Sequence, residues 1–119
     1  MIHVMSLAPS PFEKIRLGTK TVEMRLYDDK RAKIKIGDVI EFENIETRQK
    51  VKCLVTALTR LDDFYELYSI FDKTTIGYDA DEVANAEDMY QYYTREMIKA
   101  HGVLAIEIKL IQFPTFSNV

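Results

Sequence analysis

One run of seven residues, TVEMRLY, alternates strictly between polar and apolar side chains. A period of two is typical of a β-strand that buries one face, so this run constrains the fold more than any other part of the chain. We expect the apolar side chains of Val22, Met24 and Leu26 to face a core. Glu23 and Arg25 fall on the opposite face, and we expect them to be exposed toward a concave surface.

The rest of the chain is predicted to form short strands separated by short helices. Strands are predicted at residues 2–7, in the apolar residues around Gly37 and Asp38, at 50–59 and at 103–111. The last residues, QFPTFSNV, are predicted to be peripheral. Because the chain lacks a regular β-α-β alternation, the pattern favours an α+β fold or a small mixed barrel over a Rossmann sheet.

Capping residues mark the ends of the predicted helices. Ser10 is predicted to cap a helix of about two turns, and Gly18 is predicted to end it. Asp63, which follows another aspartate, is predicted to cap a second short helix. A longer third helix is expected to begin at Asn85 or Asp88 and to run to about residue 100.

Length and composition indicate a small globular protein. The chain has 119 residues without a repeat or linker, so we expect a single domain over residues 1–119 with its core at about 3–111. The one cysteine, Cys53, cannot form an internal disulfide, which favours a reducing compartment. No signal peptide or membrane-spanning apolar run is recognised in the sequence. We therefore expect a cytoplasmic protein that does not associate with a membrane.

The charges are distributed unevenly along the chain, whose net charge is -3. Residues 1–52 hold 11 Lys and Arg against 8 Asp and Glu, whereas residues 53–119 hold 5 against 11. Such an asymmetry can create a local positive face on an acidic protein. Ordinary solvated surface charge is the alternative interpretation.

Common catalytic and cofactor motifs are absent from the sequence. It contains no P-loop, no G-x-G-x-x-G, no G-x-S-x-G and no HExxH. The two histidines, His3 and His101, lie far apart along the chain. We therefore expect neither a metal site nor a cofactor.

Three motifs resemble one known family. Gly18, Lys20, Glu23 and Arg25 match the G-x-K-x-x-E-x-R motif of the ASCH domain, a family of the PUA-like superfamily. The run IGDVIEF, which contains Gly37 and Asp38, resembles the strand that follows in this family. A third similarity covers the C-terminal helix and strand, including Tyr92 and Tyr93. The chain is thus identified as a small, bacterial-type member of the ASCH family.

The resemblance implies a PUA-like small mixed β-barrel flanked by short helices, with the first motif in a cleft that binds RNA or a nucleotide. The residue types suit this role, because Arg25 offers a planar fork for phosphate or a base edge and Lys20 a compact charge. Glu23 could accept a hydrogen bond from an exocyclic amine, and Tyr93 could stack on a base. The alternative interpretations are that Glu23 and Arg25 form an ordinary surface ion pair and that Tyr93 is an aromatic residue of the core.

Two other functions are left open. Some members resemble hydrolases of acetylated cytidine, which would make Lys20 and Glu23 the catalytic pair of a small amidohydrolase acting on a modified nucleoside. The position of the nucleophilic Thr in those members holds Glu23 here, and the distal acid would be Glu82 or Glu87. A protein-interaction module is the third possibility. The preferred RNA or nucleoside and the oligomeric state do not follow from the sequence.

Overall fold

Five strands form the framework of the fold. The computed structural model describes the backbone of residues 1–116 and the side chains of residues 1–111. The strands are β1 (Ile2–Leu7), β2 (Val22–Leu26), β3 (Val39–Asn44), β4 (Gln49–Leu61) and β5 (Val103–Phe116). The helices are α1 (Pro9–Leu17), α2 (Phe64–Ile70) and α3 (Arg95–His101), with two short 3₁₀ helices at Arg31–Lys33 and Ala86–Gln91.

The strands make one mixed sheet in the order β1-β3-β4-β5-β2. β1 runs parallel to β3, and every other neighbouring pair is antiparallel. The sheet curls into a half-barrel, so the predicted α+β class and the PUA-like fold are confirmed. The described strands leave the barrel open, with β1 and β2 as its two edges.

The curled sheet buries an apolar cluster on each of its faces. Strand β5 contributes to both, because Leu104 and Ile106 point into one cluster and Val103 and Ala105 into the other. The first cluster lies inside the half-barrel and includes Phe12 of α1. The second joins the outer face of β2 and β5 to α2, α3 and the second 3₁₀ helix. Each fully buried large apolar side chain contributes roughly 1.5–3 kcal/mol to folding.

Strand β2 follows the predicted alternation with one difference. Val22, Met24 and Leu26 are buried in the outer cluster, as expected. The side chain of Arg25 is partly exposed, but Glu23 is only 3% exposed, so the expectation of an exposed Glu23 was wrong. A carboxylate can be buried at this position because two cations pair with it, as described below.

Helix α1 ends as predicted but begins earlier. Gly18 ends it in the left-handed conformation, with φ of 83°, and its N–H donates to the carbonyl of Ile15 at 3.0 Å. The predicted N-cap Ser10 lies inside the helix, since Ala8 is the N-cap and Pro9 the first helical residue. A proline at that position has a helical φ and lacks an N–H that would otherwise need a partner, which explains the earlier start.

Of the other two predicted helices, the second is present and the longer third one is divided in two. Asp63 caps α2 by accepting a hydrogen bond from the Glu66 N–H at 2.9 Å, as expected. The single long helix expected to run to about residue 100 is instead a 3₁₀ helix followed by α3. The break falls before Thr94, whose hydroxyl accepts from the Met97 N–H at 3.2 Å and starts a new helix. No helix in the described part of the chain is long and apolar enough to cross a membrane.

Strand β5 is longer than predicted. Its backbone continues to Phe116 and pairs with the start of β4, Gln49 with Phe116 and Lys50 with Thr115. Residues 112–116 are therefore part of the sheet and not a peripheral tail, while residues 117–119 lie outside the described residues. The register shifts by one residue in this stretch. Pro114 lies at the shift and is unpaired, so its missing N–H removes no hydrogen bond from the ladder.

Candidate functional site

A polar cleft of about 480 Å³ lies at the opening between the two edge strands. It is bordered by the end of β1 and the start of α1 on one side and by β2 on the other. Residues of α2 and of the segment from 76 to 93 complete its wall. Three predicted ligand-binding residues of the motif, Lys20, Glu23 and Arg25, line this cleft together with Tyr93.

Glu23 is the central polar residue of the cleft. Its Oε1 lies 3.0 Å from the Lys20 ammonium and accepts the backbone N–H of Met24 at 3.0 Å. Its Oε2 accepts from the Arg25 guanidinium, from Nε at 3.2 Å and from Nη2 at 3.0 Å. A carboxylate has about four acceptor positions, and all four are occupied here. Glu23 therefore orients the two cations and has no free acceptor for the amine of a base.

The protonation state of Glu23 follows from these contacts. Burial alone would raise the pKa of its carboxyl group. The charges of Lys20 and then Arg25, with the hydrogen bonds from Lys20 and the Met24 N–H, outweigh burial and hold the pKa below its ordinary value. Glu23 is thus an ionised acceptor at neutral pH and a weak general base.

This lowered pKa makes stability depend on pH. Unfolding returns the carboxyl to its ordinary pKa of 4.5, so the ionised group stabilises the fold above that pH, and the contribution is lost as the pH falls through the lower folded-state pKa. In urea unfolding between about pH 6 and pH 3, we expect the parent to lose more stability than Glu23→Gln. Equal losses in the two proteins would contradict an ionised Glu23.

Lys20 is held in the cleft by the loop that follows α2. Its side chain is 8% exposed, and its aliphatic part lies against Gly77, where an added Cβ would sit 3.3 Å from Lys20 Cδ. The backbone N–H groups of Thr21 and Val22 both donate to the carbonyl of Thr75, which docks the same loop on the start of β2. In the described part of the chain, Glu23 is the polar partner of the ammonium, so two of its three N–H donors remain for a ligand.

Arg25 spans the opening of the half-barrel. Besides binding Glu23, its Nη2 donates to the carbonyl of Ser6 on β1 at 3.2 Å. The side chain thus connects edge strand β2 to edge strand β1. Its Nη1 has no hydrogen bond among the described residues, and the side chain is 16% exposed. Arg25 therefore presents an unused pair of donors at the mouth of the cleft.

Tyrosines form much of the opposite wall. The hydroxyls of Tyr68 and Tyr78 lie 2.9 Å apart, and the Tyr78 hydroxyl donates to Asp88 at 2.6 Å. Burial and the hydrogen bonds to Asp88 and Tyr68 raise the pKa of Tyr78 far above its ordinary value. Tyr78 is thus a neutral donor that keeps its proton at physiological pH.

Tyr93 and Tyr92 lie at the rim beside the motif. The ring of Tyr93 stacks on Phe64, with 5.9 Å between centroids, so this tyrosine belongs partly to the outer core. Burial raises the pKa of its hydroxyl, with opposing effects from the nearby charges of Arg25 and Glu23. Tyr92 is 66% exposed and free to contact a ligand.

The two candidate distal acids occupy different surroundings. Glu82 lines the cleft, but its carboxylate pairs with Lys14 of α1, whose Nζ lies 3.9 Å from Glu82 and 3.0 Å from Asp79. Glu87 is exposed and does not line the cleft. Neither acid pairs with Lys20 as a catalytic partner would.

The second motif lies away from the cleft. Gly37 adopts a positive φ of 94°, and Asp38 accepts from His3 at 2.8 Å and from the Lys35 N–H at 3.0 Å. These hydrogen bonds and the N-terminal amine of Met1 lower the pKa of Asp38 to about 2. The arrangement joins the turn before β3 to the start of β1, which is a structural role.

Several cleft residues were not predicted from the sequence. Lys14, Tyr68, Tyr78 and Asp88 come from three separate segments, and nothing local in the sequence marks them as neighbours. The sequence predicts Asp88 only as a possible helix cap. The signal that could have found them is the long-range pairing of the loop at 72–78 with β2, which a single sequence does not reveal.

The fold and cleft define a class of small α+β proteins with a half-open barrel and a charged site at its seam. Comparison with family models gives the family: residues 5–112 match the ASCH domain. The chain belongs to the ASCH domain family, as predicted, and this family is associated with RNA binding. No curated protein compared with the chain matches it.

Solved structures share this fold. The crystal structure of the hypothetical protein PH0355 is 33% identical, with a TM-score of 0.79 over 93% of this chain and 100% of that one. The solution structure of protein PF0455 from Pyrococcus furiosus is also 33% identical, with a TM-score of 0.68 over 95% of this chain and 100% of that one. An ASCH protein from Zymomonas mobilis, 16% identical, shares the fold with a TM-score of 0.67 over 95% of this chain and 69% of that one.

Proposed function

We propose that the cleft binds one nucleotide unit, either within single-stranded RNA or as a free nucleotide. The observation that carries the proposal is the pair of cations fixed by Glu23: Lys20 and Arg25 are held in place and keep unused N–H donors toward the cleft. Such preorganised donors suit the phosphate or the carbonyl groups of a base. Glu23 acts as the positioning residue for both.

The charge balance of the lining supports a single unit over a polyphosphate. The charged side chains of the cleft are three cations and three anions, namely Lys14, Lys20, Arg25, Glu23, Glu82 and Asp88. A balanced site of this kind has no strong attraction for a highly charged anion. The tyrosine wall offers aromatic faces and hydroxyls instead, which suit a base and a ribose.

The amidohydrolase alternative has weaker support. Its nucleophile position is Glu23, whose oxygens are all occupied and whose pKa is lowered, so the group is poorly suited to attack or to proton removal. A protein-interaction role and a cytoplasmic location stay predictions from the sequence.

Arg25→Gln tests the proposal directly. The variant removes a charged donor from a partly exposed side chain, and hydrogen bonds to charged groups contribute about 1.5–3 kcal/mol, so cytidine monophosphate should bind about 10- to 100-fold more weakly. Titration calorimetry measures the affinity. Arg16→Gln is the matched control, because Arg16 also pairs with a glutamate, Glu13, but lies outside the cleft.

The control variant should bind like the parent, and circular dichroism should show both variants folded. Equal binding by the parent and Arg25→Gln would contradict the proposed site.

In the same samples, the protein should not convert acetylcytidine to cytidine, as measured by chromatography. Turnover by the parent that is abolished in Lys20→Gln would make the amidohydrolase the better assignment.

A further inference from the structure

A second, open cleft of about 790 Å³ is lined by the end of β4, the start of α2 and helix α3. Its cationic side chains are Arg60 at the end of β4 and Arg95 and Lys99 on α3. Only five Lys and Arg follow residue 52 in the sequence, and three of them meet here. Because acidic residues predominate in this half of the chain, a cluster of three cations is less expected by chance here than in the basic half.

These three cations are exposed and available. None of them forms an ion pair with a carboxylate among residues 1–111, although seven other Lys and Arg side chains do. Two carboxylates, Asp62 and Asp63, also line the cleft, so the three cations face two negative charges, and Asp63 accepts the Glu66 N–H as the cap of α2. His101 also lines the cleft.

Both arginines lie over tyrosine rings. The guanidinium carbon of Arg60 lies 4.2 Å from the ring centroid of Tyr27, and that of Arg95 lies 4.4 Å from the centroid of Tyr90. Stacking on an aromatic face restricts the guanidinium and leaves the N–H groups at its edge free for an anion. The two sites are therefore more ordered than an arginine extended into solvent.

The second cleft is close to the first. Arg25 on β2 and Arg60 on β4 both lie opposite Leu104 of β5 in the ladder, so they are on the same face of the sheet. Two strand spacings separate their Cα atoms, which is about 10 Å. Stacked nucleotides in one strand advance by about 3.4 Å each, so a segment of about three nucleotides covers this distance.

We propose that Arg60, Arg95 and Lys99 bind backbone phosphates of a single-stranded RNA that places another of its nucleotides, about three positions along the strand, in the first cleft. This inference rests on the proposed function of the first cleft. The first cleft, with its balanced charges, selects one nucleotide, while the second adds electrostatic affinity for the strand that continues from it. Phosphate contacts release counterions, so this part of the affinity depends on salt.

The test compares a 12-nucleotide single-stranded RNA with cytidine monophosphate, in full-length protein. In Arg60→Gln/Arg95→Gln/Lys99→Gln, we expect the affinity for the RNA at low salt to fall about tenfold or more. The slope of log affinity against log salt should fall by about 2, since each contact on a single strand contributes about 0.7. Binding of cytidine monophosphate should stay unchanged.

The matched control is Lys33→Gln/Lys35→Gln/Lys109→Gln, which removes the same charge from three exposed lysines that line neither cleft. It should keep the parent's salt slope within about 0.5. If both triple variants lose the same slope, or if the Arg60 triple variant keeps the parent's slope, the second cleft is not a phosphate site. Failure of the first-cleft proposal is a separate result, because it would appear as unchanged mononucleotide binding in Arg25→Gln.

Discussion

Replacing Glu23 by alanine is expected to lower the free energy of unfolding by about 3–5 kcal/mol, because the change leaves the buried ammonium of Lys20 without its partner. Arg25 loses both of its bonds to the same carboxylate. The free energy is measured by urea unfolding monitored by circular dichroism. A loss below about 1 kcal/mol would mean that Lys20 finds water or another partner and that the ion pair is not buried in solution.

Two further variants identify the origin of this loss. Glu43→Ala is the matched control on strand β3, since Glu43 also pairs with two cations, Arg48 and Lys50, but its side chain is more exposed than that of Glu23. It should cost less than about 1 kcal/mol. The double variant Lys20→Met/Glu23→Leu removes both charges and fills a similar volume, so it should recover a large part of the loss seen in Glu23→Ala.

The second large effect is expected at Gly102, the residue between α3 and β5. Its φ is 73° and its ψ is -173°, a combination that is essentially restricted to glycine. A Cβ there would lie 2.9 Å from the backbone carbonyl oxygen of Leu61, which is fixed in the sheet. We expect Gly102→Ala to destabilise the protein by about 2–4 kcal/mol through backbone strain and the steric overlap.

Gly18→Ala is the control for this change. Gly18 also has a positive φ, but a Cβ there meets nothing within 4 Å, so only the left-handed conformation is penalised, by about 1 kcal/mol. Urea unfolding of the two variants separates strain alone from strain with overlap. Equal losses would show that the strand pairing near Leu61 adjusts to make room for the methyl group.

The local features of the fold could be predicted from the sequence. Strand β2 is recognisable because its alternation depends only on which face is buried, and Gly18 and Asp63 mark helix ends because capping is a matter of a few adjacent residues. The same reasoning failed at residues 85–100. Helical spacing suggested one continuous helix, but Tyr93 stacks on Phe64 of α2, and Thr94 caps a new helix.

The residues of the candidate site likewise fall into those that the sequence could predict and those that it could not. Lys20, Glu23 and Arg25 could be found because they lie within six residues of one another in a motif. The burial of Glu23 could not, since the loop at residues 72–78 docks on the start of β2 and packs against Lys20, the partner of Glu23, only in the folded chain. The same is true of the tyrosine wall and of the second cleft, where Arg60 and Arg95 are brought together by α3 and β4.

The hydrogen bond from Arg25 to Ser6 joins the two edges of the half-barrel differently from the way in which the other strands are joined. Neighbouring strands elsewhere in the sheet are joined by ladders of hydrogen bonds, but in the described part of the chain the hydrogen bond between the two edges runs from one side chain to one carbonyl. Losing that bond breaks no ladder, and the two bonds to Glu23 keep the guanidinium at the mouth of the cleft. A ligand that enters there can therefore replace the Ser6 carbonyl as a partner of Arg25 at the expense of one hydrogen bond.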